Sequence, residues 1–111
     1  MNKTIMVVED EQIFHDLYEV MLENTGYEII SVYDGYEALV KLEETRPDLI
    51  ITDIVLSMMT GDTLFLYLKS IPKYEDIPII MISNVPYGLI KAWRRLIQIL
   101  YFLTRPLQEK N

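Results

Sequence analysis

Three carboxylates at the ends of two short apolar runs are the residues of this chain best placed to do chemistry. Glu9 and Asp10 follow the run Thr4–Val8, and Asp53 follows the run at residues 49–52. Short runs rich in β-branched residues are typical of the buried strands of a parallel sheet. Because ligands of such sheets bind beyond the carboxyl ends of the strands, we expect the three acids to share one crevice.

Carboxylates gathered in this way repel one another, and a hard divalent cation such as Mg²⁺ relieves the repulsion. A carboxylate beside bound Mg²⁺ can also accept a phosphoryl group, because the metal neutralises the charge that develops during transfer. The three acids therefore predict a Mg²⁺ site next to a carboxylate that can be phosphorylated.

The composition excludes several other classes of function. The chain has 111 residues, of which 50% are hydrophobic, so we expect one folded domain over residues 1–111. It has no cysteine, which excludes disulfides and thiolate chemistry and fits a cytoplasmic location. The start shows no signal peptide, and no apolar run approaches the roughly 20 residues of a spanning helix, so we expect no membrane span.

The charge and its distribution bear on the partners. A net charge of −7 argues against non-specific binding of nucleic acid. Residues 1–84 hold 16 acidic and 5 basic side chains, whereas residues 85–111 hold 1 acidic and 5 basic ones. In the basic part, Lys91, Arg94 and Arg95 fall on a predicted helix, which either binds an acidic partner or a membrane surface, or is an ordinary solvated face.

The pattern of apolar residues predicts the elements that must position the acids. Apolar runs alternate with amphipathic segments, and this order predicts a doubly wound α/β sheet with right-handed crossovers. The first helix is expected to end at a Gly26 cap and to hold His15 near solvent. Its predicted inward residues are Ile13, Phe14, Leu17, Tyr18 and Met21. Further helices are predicted over residues 36–45, 63–70 and 87–100, and further strands over residues 27–32, 49–53, 77–82 and 101–104.

Six short motifs recur along the chain at characteristic separations. They are Val7-Val8-Glu9-Asp10, Asp34-Gly35-Tyr36-Glu37-Ala38-Leu39, Pro47-Asp48-Leu49-Ile50-Ile51-Thr52-Asp53, Met59 with Gly61, Pro78-Ile79-Ile80-Met81-Ile82-Ser83 and Thr104-Arg105-Pro106. Each motif alone is a weak signal, but in this order and at these separations they resemble the receiver domain of two-component response regulators over residues 3–107. The resemblance implies a flavodoxin-like fold, a doubly wound parallel five-stranded sheet in the order 2-1-3-4-5.

The resemblance implies that Asp53 is the phosphoacceptor of the domain. Glu9 and Asp10 match the acid pair that holds Mg²⁺ together with Asp53, and the backbone carbonyl of Val55 would be a further ligand. The phosphoryl donor would be a phosphohistidine on a sensor histidine kinase or a phosphotransfer protein, and the output a changed surface for a downstream protein target. The implied function is a switch in phosphorelay signal transduction and not an enzyme.

Three further positions match residues that respond to the phosphoryl group in receivers. Ser83 matches the hydroxyl that hydrogen-bonds the phosphoryl group and moves toward it on activation, and Phe102 matches the aromatic switch position. Arg105 stands where the family has lysine, and it keeps the positive charge on a larger, planar group. Asn84 stands where a small residue normally follows the hydroxyl.

The end of the chain departs furthest from the family pattern. The sequence ends five residues after Pro106, so we expect the last helix of receivers to be missing or truncated. The apolar surface that such a helix would cover favours a homodimer through the altered C-terminal region. The alternative function is then a degenerate receiver that acts as a phosphorylation-independent dimerisation or docking module.

Two rival functions are disfavoured by the residues at the acid positions. A phosphatase with an aspartyl nucleophile needs a second acid two residues after it, where this chain has Val55. A flavin-binding protein of this fold would need a phosphate-cradling loop after the first strand. The acids Glu9, Asp10 and Glu11 at that place would repel phosphate.

Overall fold

Four strands and three helices alternate along the part of the chain that the structure describes, a computed structural model covering residues 3–54, 56 and 58–82. The strands form one parallel sheet in the order β2-β1-β3-β4, which confirms the predicted fold class. The predicted fifth strand and the missing or truncated last helix fall outside the described residues. The elements are β1 (Thr4–Val8), α1 (Gln12–Met21), β2 (Glu28–Val32), α2 (Gly35–Glu44), β3 (Leu49–Asp53), α3 (Gly61–Lys69) and β4 (Ile79–Ile82).

The two central strands, β1 and β3, are buried on both faces, and this explains their unbroken apolar sequences. Met6 and Ile50 point to one face, where α2 and α3 pack, and Ile5 and Ile51 point to the other, where α1 packs. Alternate residues of a strand point to opposite faces, so each run serves two cores. The helices that cover the first face contribute Ala38, Leu42, Leu64 and Leu68.

The register of β1 and β3 sets the height of the predicted acids. Val8 pairs with Thr52 across the two strands. Both strands run in the same direction, so the next residue of each, Glu9 and Asp53, reaches the carboxyl edge of the sheet at the same level. The sheet register therefore brings together two acids that are far apart in sequence.

Side-chain caps start α2 and α3 slightly earlier than the sequence pattern predicts. The Asp34 carboxylate accepts a hydrogen bond from the Glu37 N–H at 2.8 Å, and the Thr60 hydroxyl accepts one from the Thr63 N–H at 3.4 Å. Such caps satisfy N–H groups that have no partner within the helix. Both helices therefore begin at the glycine after the cap.

The predicted inward side of α1 is wrong at two positions. Ile13 and Leu17 are 62% and 41% exposed, while Tyr18 and Leu22 are buried. The helix turns about 100° per residue, so a stripe through Tyr18 and Leu22 leaves positions 13 and 17 on the outer side. The same rotation buries His15, which is 1% exposed and not near solvent as predicted.

The predicted cap of α1 is also wrong. The helix ends at Met21 and is followed by Leu22 as the capping residue. Asn24, at φ 66°, and Gly26, at φ 88°, both adopt the left-handed conformation in the loop that follows. Gly26 therefore turns the chain toward β2 and does not terminate the helix.

Candidate functional site

The three predicted acids meet at the carboxyl edge of the sheet. Carboxylate oxygens of Glu9, Asp10 and Asp53 all lie within 4.8 Å of one another. Glu9 and Asp53 are buried, at 6% and 4% exposure, whereas Asp10 is exposed and leaves that side of the cluster open to solvent. Three hard oxygen donors at this spacing could hold a divalent cation.

Electrostatics in the cluster are unfavourable without a cation. Burial raises the pKa of the Glu9 carboxyl from 4.5 to about 8. A hydrogen bond with Asp10 and the negative charges of Asp53 and Asp10 raise this pKa as well, and the Glu11 N–H, which donates to the Glu9 carboxylate at 3.1 Å, lowers it. At neutral pH one of the acids therefore keeps its proton, and a divalent cation would favour its ionised form.

The backbone of Glu9 is held from both sides. Its N–H donates to the carbonyl oxygen of Val32 at 3.1 Å, and its own carbonyl oxygen lies 2.8 Å from Nε2 of His15. The His15 ring packs against Tyr33, with 4.4 Å between ring centroids, and the Tyr33 hydroxyl donates to the side-chain oxygen of Gln12 at 2.6 Å. These contacts join the ends of β1 and β2 to the first turns of α1.

Sequence reasoning missed this role of His15. The signal that could have found it is helical spacing, because His15, Tyr18 and Leu22 recur at intervals of three and four residues. A histidine on that stripe, five residues after the acid pair, points into the core beside the acids.

The backbone after Asp53 is held between α3 and β4. The Ile54 N–H donates to the carbonyl oxygen of Ile82 at 2.9 Å, and the Gly61 N–H donates to the carbonyl oxygen of Ile54 at 2.8 Å. The residue that follows the predicted phosphoacceptor is thus fixed on both sides. Of the other predicted site residues, Val55, Ser83, Phe102 and Arg105 lie outside the described residues, and their roles stay predictions.

A parallel doubly wound sheet with an acid cluster at its carboxyl edge is the architecture of receiver-type signalling domains. The family model of the response regulator receiver domain matches residues 5–108. This chain therefore belongs to the response regulator receiver domain family, and the resemblance stated from its motifs is confirmed. Receiver domains of this family are signalling switches that work with histidine kinases or phosphotransfer proteins and with downstream targets.

Individual relatives agree with this assignment. The polar-differentiation response regulator DivK of Brucella anthropi is 37% identical over 83 residues, which are 75% of this chain and 68% of DivK. The crystal structure of the signal receiver domain of a signal transduction histidine kinase from Syntrophus aciditrophicus is 26% identical. It superposes with a TM-score of 0.73 over 98% of this chain and 97% of that one.

A third solved structure is similar to this chain in fold. The receiver domain of a sensor histidine kinase from Pseudomonas aeruginosa PAO1 was solved with a magnesium ion coordinated in its active site cleft. It shares the fold of this chain, with a TM-score of 0.71 at 23% identity, over 89% of this chain and 97% of that one. Across the described residues of the present chain, we find no helix with the length and apolar character needed to cross a membrane.

Proposed function

We propose that this domain accepts a phosphoryl group on Asp53 and thereby switches a protein-interaction surface in two-component signalling. The observation that carries the proposal is the acid cluster, in which oxygens of Glu9, Asp10 and Asp53 lie within 4.8 Å of one another. The cluster stands at the sheet edge where ligands of parallel α/β sheets bind. Membership of the receiver family supports the same function.

The three acids would hold Mg²⁺, with the backbone carbonyl of Val55 as a further ligand. Their hard oxygen donors fit this cation. The pKa of Glu9 is raised first by burial and to a smaller extent by the charges of Asp53 and Asp10, and a bound cation would favour the ionised form. When bound, Mg²⁺ neutralises charge on the phosphoryl oxygens and so supplies most of the electrostatic stabilisation of the transfer.

The transfer itself is a displacement at phosphorus. A carboxylate oxygen of Asp53 attacks the phosphorus of a phosphohistidine on the partner, the P–O bond forms as the P–N bond breaks, and the bond electrons leave with the imidazole of the donor. The product is an aspartyl phosphate. Asp53 is buried, so its carboxylate is shielded from bulk water while Asp10 keeps one side of the cluster accessible.

The added phosphate would act as the switch. It carries a charge of roughly −1.5 to −2, for which Ser83 and Arg105 are the proposed hydrogen-bonding partners, and Phe102 is the proposed aromatic reporter of the change. Such a charge biases a domain between two surface arrangements. The proposed partners are a sensor histidine kinase or phosphotransfer protein and a downstream protein target, in the cytoplasm, as the cysteine-free sequence favours.

A second candidate is a degenerate receiver that serves as a docking or dimerisation module. The substitution of arginine for the usual lysine at position 105, and Asn84 beside Ser83, favour it. The intact acid cluster opposes it. In this alternative the domain forms a homodimer through its altered C-terminal region, and light scattering at tens of micromolar would find a dimer whose mass does not depend on phosphorylation.

The test is intact mass after incubation with acetyl phosphate and Mg²⁺. The wild type should gain the mass of one phosphate, the gain should require Mg²⁺, and Asp53→Asn should not gain it. Asp76→Asn is the matched control, because Asp76 is an exposed acid at the opposite end of the sheet, before β4 begins. No gain in the wild type would refute phosphorylation at Asp53 and favour the docking module.

A further inference from the structure

We infer that His15 is a positioning residue for the metal-binding acids, acting through the backbone of Glu9. The inference rests on the proposed function, since it concerns the same Mg²⁺ site. Its starting observation is the 2.8 Å contact between Nε2 of His15 and the carbonyl oxygen of Glu9. That carbonyl belongs to the peptide group that links Glu9 to Asp10, so the bond fixes the plane of the peptide between two of the three acids.

The direction of this hydrogen bond follows from its acceptor. A carbonyl oxygen can only accept, so Nε2 of His15 carries the hydrogen in this bond. Nδ1 is buried and has no hydrogen-bond partner among the described residues. An unpartnered buried nitrogen lowers stability, and an apolar side chain of similar volume would fill the space without that cost. Packing therefore does not account for a histidine at this position, whereas the bond to Glu9 does.

The ring cannot easily leave this contact. Tyr33 packs against it at 4.4 Å between centroids and is itself tied to Gln12 by a hydrogen bond of 2.6 Å. Val32, the residue before Tyr33, accepts the Glu9 N–H. The N–H and the carbonyl oxygen of Glu9 are therefore both held by hydrogen bonds. With its backbone fixed in this way, the Glu9 carboxylate is directed toward the acid cluster.

Loss of the bond should weaken cation binding. In known metal sites, residues that hold the ligands in place contribute about 10- to 100-fold in affinity. We expect His15→Leu, which fills the space without a donor, to raise the Mg²⁺ dissociation constant about tenfold. His15→Gln places an amide N–H near the position of Nε2, and we expect it to stay within about threefold of the wild type.

The experiment is a titration of the whole chain with Mg²⁺ alone, followed by the backbone amide resonances of Glu9, Asp10 and Asp53 in NMR spectra. Leu22→Ala is the control for lost stability, because Leu22 is buried at the other end of α1, away from the acids. The Mg²⁺ dissociation constant of this variant should equal that of the wild type. If His15→Leu does not fold, Tyr33→Leu replaces it, since that change removes the ring packed on His15, and it should weaken binding severalfold.

The outcomes separate the inference from the proposed function. Weaker binding by His15→Leu, recovery in His15→Gln and an unchanged Leu22→Ala together support the positioning role. Equal Mg²⁺ affinity of His15→Leu and the wild type overturns the inference but leaves the proposed metal site intact. An equal loss of Mg²⁺ affinity in His15→Leu and His15→Gln has the same meaning. A wild type that does not bind Mg²⁺ at the three acids overturns both.

Discussion

Gly61 and Asp53 are in direct contact across the start of α3. A Cβ atom on Gly61 would overlap the backbone carbonyl oxygen of Asp53 and would lie 2.9 Å from the Cα of Ile54. These are backbone atoms, which cannot turn aside as a flexible side chain could. The absence of a side chain at Gly61 therefore allows α3 to start against the strand end that carries the proposed phosphoacceptor.

The first prediction concerns this contact. We expect Gly61→Ala to lower the free energy of unfolding by about 1–3 kcal/mol, because the methyl group overpacks a rigid site. Helix propensity alone would give the opposite sign, since alanine is favoured over glycine by about 1 kcal/mol inside a helix. The displaced Asp53 should also accept phosphate from acetyl phosphate more slowly.

Gly26→Ala is the control for this prediction. A Cβ on Gly26 meets no atom within 4 Å, but its φ of 88° strains any other residue. It should lose stability, by about 1–2 kcal/mol, and keep the wild-type rate of phosphorylation. Urea unfolding and the rate of mass gain measure both effects, and a Gly61→Ala protein that is phosphorylated at the wild-type rate would contradict the close-contact argument.

The second prediction is a pH dependence of stability in the absence of divalent cation. The pKa of Glu9 is raised from 4.5 to about 8, so between these values the native state keeps a proton that the unfolded state has lost. Stability should therefore fall as pH rises from about 4.5 to 8 and level off above that range. The total change from Glu9 is on the order of a few kcal/mol.

Urea unfolding between pH 5.5 and 8.5 in EDTA measures this change. Glu9→Gln removes the titrating group and should flatten the curve, and Glu43→Gln, on the exposed side of α2, should not. With Mg²⁺ present, the decrease in stability with rising pH should be smaller. The cation binds the ionised acids of the native state, and the protein's affinity for Mg²⁺ rises with pH. A Glu9→Gln protein with the wild-type slope would place the titration elsewhere.

The third prediction separates stability from cation binding at Asp10. This residue is the exposed member of the cluster, so Asp10→Asn should cost no packing and should remove one negative charge near Glu9 and Asp53. We expect the variant to be more stable than the wild type in EDTA, by about 0.5–1 kcal/mol, and to bind Mg²⁺ at least tenfold more weakly. Thermal unfolding with and without Mg²⁺ tests both effects, and lower stability in EDTA would show that repulsion is not the dominant effect at this position.

The fourth prediction tests the orientation of α1. Ile13→Ala should change the free energy of unfolding by no more than about 0.5 kcal/mol, because the side chain is largely exposed. Leu22→Ala removes a buried side chain at the end of the same helix and should cost about 2–5 kcal/mol. Chemical denaturation of the two variants compares them directly, and similar losses would mean that α1 is rotated from the position described.

The strand order followed from the resemblance to receiver domains, whereas the meeting of Glu9 with Asp53 could be predicted from the residues by two simple rules. Unbroken apolar runs indicate strands buried on both faces, and parallel strands end at a common edge. The phase of α1 could not be predicted in this way. Its apolar residues include Ile13 with Leu17 and also Phe14 with Tyr18, two overlapping stripes that hydrophobicity alone does not rank.

The burial of His15 could be predicted only in part, because helical spacing places it on the stripe of Tyr18 and Leu22 but does not reveal its polar contacts. Its place in the core depends on a hydrogen bond with the carbonyl oxygen of Glu9 and on the ring of Tyr33, which lies directly after the end of β2. The starts of α2 and α3 differ from the predicted ones by only one or two residues, and the reason is local. Caps at Asp34 and Thr60 extend each helix to a glycine, a residue that propensity alone would leave in the loop.

The pairing of Val8 with Thr52 also has a consequence for the folding rate of the chain. The step that docks β1 against β3 is the same step that forces Glu9 toward Asp53, so the chain must do electrostatic work to form its central strand pair. Contacts between distant parts of a sequence are the slow part of folding. If this pairing is present in the transition state, millimolar divalent cation should speed refolding of the wild type and should not speed refolding of Asp53→Asn. Repulsion between the acids of the signalling site would then also slow the folding of the domain.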